Sequence, residues 1–92
     1  MNSELLSRIN ELSVTLVRPF NSLVAFGSLV YADEWYFGHI GLHLTQDGDL
    51  RCAFPDKTML NGKRMNVYFP IKKEVEEAVR ASFSKKYFEM TK

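Results

Sequence analysis

The residues of this chain that could carry chemistry are two histidines, one cysteine, a few neighbouring carboxylates and a run of cations. His39 and His43 stand four apart, a spacing that on a helix would put both rings on one face, where they could share a metal. The alternation around them reads as a strand instead, in which four residues span about 13 Å, while zinc holds its nitrogens about 2 Å away. The pair is therefore not expected to chelate one ion. Cys52 has Arg51 beside it, but adjacent strand residues face opposite ways, so Cys52 is expected to be a half-buried structural thiol. Asp33 and Glu34 are consecutive and fit turn chemistry better than an acid/base pair. Gly27, Gly38, Gly41, Gly48 and Gly62 form no phosphate-binding fingerprint, and Gly27-Ser28 lacks the frame of a nucleophile elbow. The expectation is a protein that is not an enzyme and carries no metal or cofactor site.

What remains is basic. Lys57, Lys63, Arg64, Lys72 and Lys73 fall between positions 57 and 73, and the chain is charged unevenly. Residues 1–50 hold two basic and six acidic side chains, a balance of −4, whereas residues 51–92 hold ten basic and five acidic, or +5, within a formal net charge of +1. Such asymmetry points to an anionic partner on the C-terminal half, and these five cations are the candidate contacts to nucleic-acid phosphates. A solvated charged loop is the plainer alternative. A strand from Met65 to Phe69 would hold the loop and the helix start at its opposite ends, so a dimer could assemble a continuous patch where a monomer does not.

The elements that must position these residues follow from periodicity. At 92 residues the chain is one domain, read as an N-terminal extension over 1–10 and a single domain over 11–92. Its 46% hydrophobic content, with 7 Phe, 4 Tyr and 1 Trp, excludes a disordered chain. The longest uncharged stretches, Pro19 to Ala32 and Trp35 to Gln46, are shorter than the ~18 to 20 apolar residues of a membrane span. The first ten residues show no secretion signal and a single cysteine allows no internal disulfide, so a cytoplasmic protein is expected.

Period-two patterning predicts strands from Leu12 to before Pro19, over Leu23–Tyr31, Trp35–Leu44 and Leu50–Phe54, and from Met65 to Phe69. In the third, Tyr36, Gly38, Ile40, Leu42 and Leu44 share one side. Asp47-Gly48 and Asn61-Gly62 are hairpin dipeptides, and the stretch 56–63 is an exposed loop or hairpin tip. Val75, Ala78, Val79, Ser82, Phe83 and Tyr87 recur at three and four, one stripe of an amphipathic helix entered near Pro70. Lys73 with Glu77 and Glu76 with Arg80 are spaced to pair on its outer face. The fold class is α+β: a small twisted antiparallel sheet of about five strands with a C-terminal helix over one face.

These residues also carry a resemblance. Ile40-Gly41-Leu42, the turn at Asp47-Gly48, Phe54-Pro55-x-Lys57 with Gly62 seven positions after Pro55, and Val67-x-x-Pro70-Ile71 ahead of a Val/Ala-rich helix together resemble the stage V sporulation protein G, or septation protein, family over about residues 11 to 88. The resemblance implies a cytoplasmic homodimer built through sheet edges. It also implies a regulator that binds DNA and, in some members, RNA, in septation, sporulation or related gene expression. Lys57 falls on the basic position after the family's Pro. Thr58 and Met65 stand where typical members have basic residues, and Lys63, Arg64, Lys72 and Lys73 supply charge at shifted positions. The rival expectation is a protein-interaction adaptor, with Trp35, Tyr36 and Phe37 meeting a division or regulatory partner.

Overall fold

A computed structural model describes residues 3–91. In chain order they form α1 (Ser3–Ser7), β1 (Ile9–Phe20), β2 (Leu23–Tyr31), β3 (Trp35–Leu44), β4 (Leu50–Ala53), β5 (Asp56–Thr58), β6 (Arg64–Asn66) and α2 (Lys73–Met90). Strands β1 to β4 make a four-stranded antiparallel meander in sequence order, and β5 and β6 make a separate antiparallel hairpin. The fold is α+β, with α2 laid across one face of the meander.

Tight turns set the meander. Asn21 takes φ 54 between β1 and β2, and Ala32 and Asp33 take φ 55 and 57 between β2 and β3, a conformation that short polar side chains tolerate better than alanine does. Asp33 is held there by the Asn10 side-chain amide, which donates to its Oδ1 at 3.0 Å. Gly48 and Gly62, at φ 86 and 84 with open space around them, close the β3–β4 and β5–β6 turns. Both hairpin dipeptides thus form turns because their geometry is local.

The strands differ from strict alternation at four places, one of them in β2, where Val24 lies between the pairs Leu23–His43 and Ala25–Leu42. β1 begins at Ile9 and runs through Pro19, tolerated because β1 is an edge strand and the ladder is interrupted between Leu16 and Phe20. A bulge at Glu11, φ 47, lies between the pairs Asn10–Val30 and Ser13–Ser28. A second, at Gly38-His39 with His39 at φ 58, lies between Phe37–Leu29 and Ile40–Gly27. One inserted residue swaps the faces of β3. The expected single side from Tyr36 to Leu44 is therefore corrected: Phe37, Ile40 and Leu42 share the helix face, while Tyr36, Gly41 and His43 share the other. The expected fifth strand is also corrected. Only Arg64–Asn66 is extended, it pairs with β5 instead of the meander, and residues 67–72 are irregular.

The core is built where α2 meets the sheet. Ala78, Val79, Phe83 and Tyr87 are buried from the helix, against Val14, Ala25, Leu29, Ile40, Leu42 and Leu50 from the strands. Phe83 lies directly over Gly27, where a Cβ would stand 2.5 to 2.9 Å from Cε1, Cζ and Cδ1 of the ring. Gly27 pairs with Val14 and Ile40, so the ring seats in a notch walled by β-branched side chains. Neither expected ion pair on the outer face of α2 is closed. Among the described residues the ion pairs are Arg8–Glu4, within 2.6 Å, and Arg64–Asp56, within 2.8 Å. Exposed long side chains gain too little from pairing to offset their lost freedom.

Phe83→Ala should cost about 3 to 5 kcal/mol and Gly27→Ala about 1 to 3 kcal/mol by overpacking, whereas Glu77→Ala should cost little. In a Phe83→Leu background the Gly27→Ala penalty should shrink. Urea unfolding of the five variants checks this, and an equal Gly27→Ala penalty in both backgrounds would exclude the ring-on-glycine contact.

Candidate nucleic-acid interface

The hairpin β5–β6 carries three of the five candidate cations. Pairing Asp56–Asn66, Lys57–Met65 and Thr58–Arg64 leaves every ladder residue exposed. Alternation sends Lys57 and Met65 to one face and Arg64 with Asp56 to the other. The ladder's continuation, in which Met59 N–H donates to the Lys63 carbonyl at 2.7 Å, puts Lys63 on the Lys57 side. Arg64 Nη2 donates to Asp56 Oδ1 at 2.9 Å. Lys57 and Lys63 are thus brought together without an acid partner, and Arg64 is set apart and partly neutralised.

Lys72 and Lys73 stand at the start of α2. Lys72 is its N-cap, with φ −87 and ψ 132 and no side-chain cap hydrogen bond, and Lys73 is its first residue. Cations at the positive end of a helix dipole oppose stability, and Glu74 and Glu76 in the first turn offset them. The irregular stretch 67–71 separates these lysines from the hairpin.

That stretch is anchored by Tyr68, which no motif or periodicity in the sequence marks. Its ring lies 5.0 Å from Phe37 and 6.0 Å from Phe54, in a cluster continued by Tyr31–Phe37 at 6.5 Å and Trp35–Phe37 at 6.3 Å. Tyr68 Oη donates to the Gly38 carbonyl at 2.5 Å. β4 pairs only with Gly41–Leu44 of β3, so Gly38 has no strand neighbour on that side, and the phenol satisfies its carbonyl. Beside the cluster an apolar groove of about 310 Å³ opens between Phe37, Phe54, Tyr68, Ile71, Lys72 and Val75. Ile71 is 93% exposed at its lip.

The other reactive groups are occupied structurally. Burial pushes the Cys52 thiol up to about 12 from 9.0, with Arg80 pulling it down and Glu76 up by less, so its proton is held under α2. His43 Nδ1 and Ser22 Oγ share a hydrogen bond at 2.8 Å. Burial, then the charge of Arg51, keeps the His43 ring below its ordinary pKa. No helix among the described residues is long and apolar enough to cross a membrane. Neither protein-family models nor the curated proteins give a match to this chain.

Burial holds the Tyr68 phenol at about 12 against 10.0, Tyr36 adding to the rise. Both groups bind their protons more tightly folded than unfolded, so their contribution to stability is whole below the unfolded values, about 9 for the thiol, and drains away as pH climbs toward 12. The urea midpoint should stay flat to about pH 9 and then fall, less steeply in Cys52→Ala. Thiol labelling at pH 8 should be slow in the native protein and fast in denaturant; equal rates would contradict the burial of Cys52.

Proposed function

We propose that this protein is a non-enzymatic, site-selective DNA-binding regulator that acts as a cytoplasmic homodimer, with RNA as the further ligand suggested by some members of the family it resembles. The carrying observation is the set of four exposed lysines, Lys57, Lys63, Lys72 and Lys73, that hold no acid partner, on a projecting hairpin and at a helix start. Each releases counterions when it meets a phosphate. Arg64 is the fifth contact, drawn from Asp56 when a phosphate offers a stronger partner. The resemblance to the stage V sporulation protein G family supports the same reading and suggests a role in septation, sporulation or related gene expression.

The hairpin supports the homodimer part of this reading. Its two strands pair only with each other, leaving free backbone edges on both sides. β6 and its continuation carry Met65, Val67 and Phe69, each more than half exposed and with no acidic residue among them. A two-fold pairing of β6 edges would cover this surface and bring two sets of lysines onto one assembly. Light scattering at micromolar concentration should give twice the monomer mass, and a monomer would remove this part of the reading. Trp35 and Tyr36, 61% and 71% exposed, favour the second reading, a protein-interaction adaptor.

Replacing Lys57, Lys63 and Arg64 together by Ala should weaken binding to specific and random duplexes alike. It should flatten the log–log salt dependence by up to about 2.7 per monomer, at about 0.9 per phosphate released. Arg64→Ala alone should contribute least, because Asp56 already holds it. Lys85→Ala with Lys86→Ala, exposed on the last turns of α2, should leave affinity nearly unchanged. A gel shift at two salt concentrations checks all of these. Equal losses from the two sets would reduce the effect to diffuse charge, and no shift with any duplex would favour the adaptor.

A further inference from the structure

α2 covers one face of the meander and leaves the other open. Register assigns that open face strand by strand: Ser13, Thr15 and Phe20 from β1, Leu23, Phe26, Ser28 and Val30 from β2, Tyr36, Gly41 and His43 from β3, Arg51 and Ala53 from β4. Glu11, in a bulge, is the one acidic residue in all four strands, and the open-face rows themselves carry charge only at Arg51.

Two of the rings on this face lie over glycines. Gly38 lies two residues from Tyr36, and a Cβ there would stand 2.9 Å from Tyr36 Cε1 and 3.0 Å from its Oη, so the phenol ring rests on bare backbone while 71% exposed. Gly41 does the same for His43, whose Nε2 would lie 3.3 Å from a Cβ. Phe26 pairs with Gly41 across the ladder and is 41% exposed, and Phe20 lies at the end of the neighbouring strand. The four rings run along roughly 20 Å of strand, at about 3.3 Å per residue.

We infer that the open face of the β1–β4 sheet is a stacking platform for single-stranded nucleic acid, with Tyr36, Phe26 and Phe20 each under an unpaired base of one strand and Arg51 on the backbone. Exposed rings serve unpaired bases, whose π-faces are free, and not a duplex, whose bases already stack on one another. A face with positive charge and no carboxylate complements a polyanion. This inference rests on the nucleic-acid reading above but uses a different surface from the lysines of the hairpin and helix start.

The test uses the full chain and four labelled probes of equal length: a mixed-sequence single-stranded RNA, the matching single-stranded DNA, the duplex, and an abasic strand with the same phosphates. Tyr36→Ala with Phe26→Ala and Phe20→Ala should weaken single-strand binding at least ~5-fold per ring engaged, leave duplex binding within about twofold, and leave the already weak abasic binding unchanged. Tyr36→Phe should bind as the wild type does, and circular dichroism reports whether the triple variant is folded. If that variant is unfolded, Tyr36→Ala alone, at a mostly exposed site, carries the comparison. The RNA and DNA arms distinguish the two strand chemistries. Duplex binding with no ring-dependent single-strand binding would overturn this inference alone, as would a halved molecular mass with single-strand affinity intact, which would make the face a contact between copies. Binding to none of the four probes would overturn it together with the nucleic-acid reading.

Discussion

The seat of Phe83 on Gly27 is the contact on which the rest of the structure depends. A helix packs against a sheet only as closely as the side chains between them allow, and here the central position of the central strand pair has none. The missing Cβ admits the ring to the level of the backbone. It fixes the phase of α2, so that Val79 and Tyr87 on the same stripe are buried and Cys52 is partly buried within the electrostatic reach of Arg80 and Glu76. Because α2 begins at Lys73, the same contact also fixes where the helix start and its lysines emerge.

The helix covers much of one face, and the bulges at Glu11 and Gly38-His39 decide what the other face displays. Both lie opposite the Ser28–Leu29 step of β2, so the flanking strands turn over together while β2 keeps its alternation from Ala25 to Tyr31. On β3 this lets Phe37 and Ile40 both point toward the helix despite their odd spacing, and sends Tyr36 outward over Gly38. The same step leaves the Gly38 carbonyl for Tyr68, so a strand irregularity, a phenol and the path from hairpin to helix form one connected arrangement.

Features set by local chemistry were legible in the sequence, and those set by distant pairing were not. Asp47-Gly48 and Asn61-Gly62 announce their turns because positive φ is a property of the dipeptide. The α2 stripe was legible because five apolar positions repeat at helical spacing. The β3 bulge was not, since nothing at Gly38-His39 states that β2 will offer one residue against two. The same holds for the cations. Their number is in the sequence, but the separation of Lys57 and Lys63 from Arg64 depends on which residues face each other across β5–β6. Met65 to Phe69 read as a strand by composition, yet the chain leaves the ladder after Asn66, where Tyr68 turns inward to the aromatic cluster and Pro70 has no N–H to offer.

The hairpin β5–β6 buries none of its six ladder residues and hydrogen-bonds to no strand of the meander. Local opening free energy tracks buried apolar contact, so this ladder belongs to the low end of the molecule's stability while the Phe83 core sits at the high end. The chain is in this sense mechanically graded. Its rigid part holds helix and sheet in register, and its soft part is a ladder closed at the base by the 2.7 Å bond from the Val67 N–H to the Pro55 carbonyl and tied to the core only through the flanking Phe54 and Tyr68.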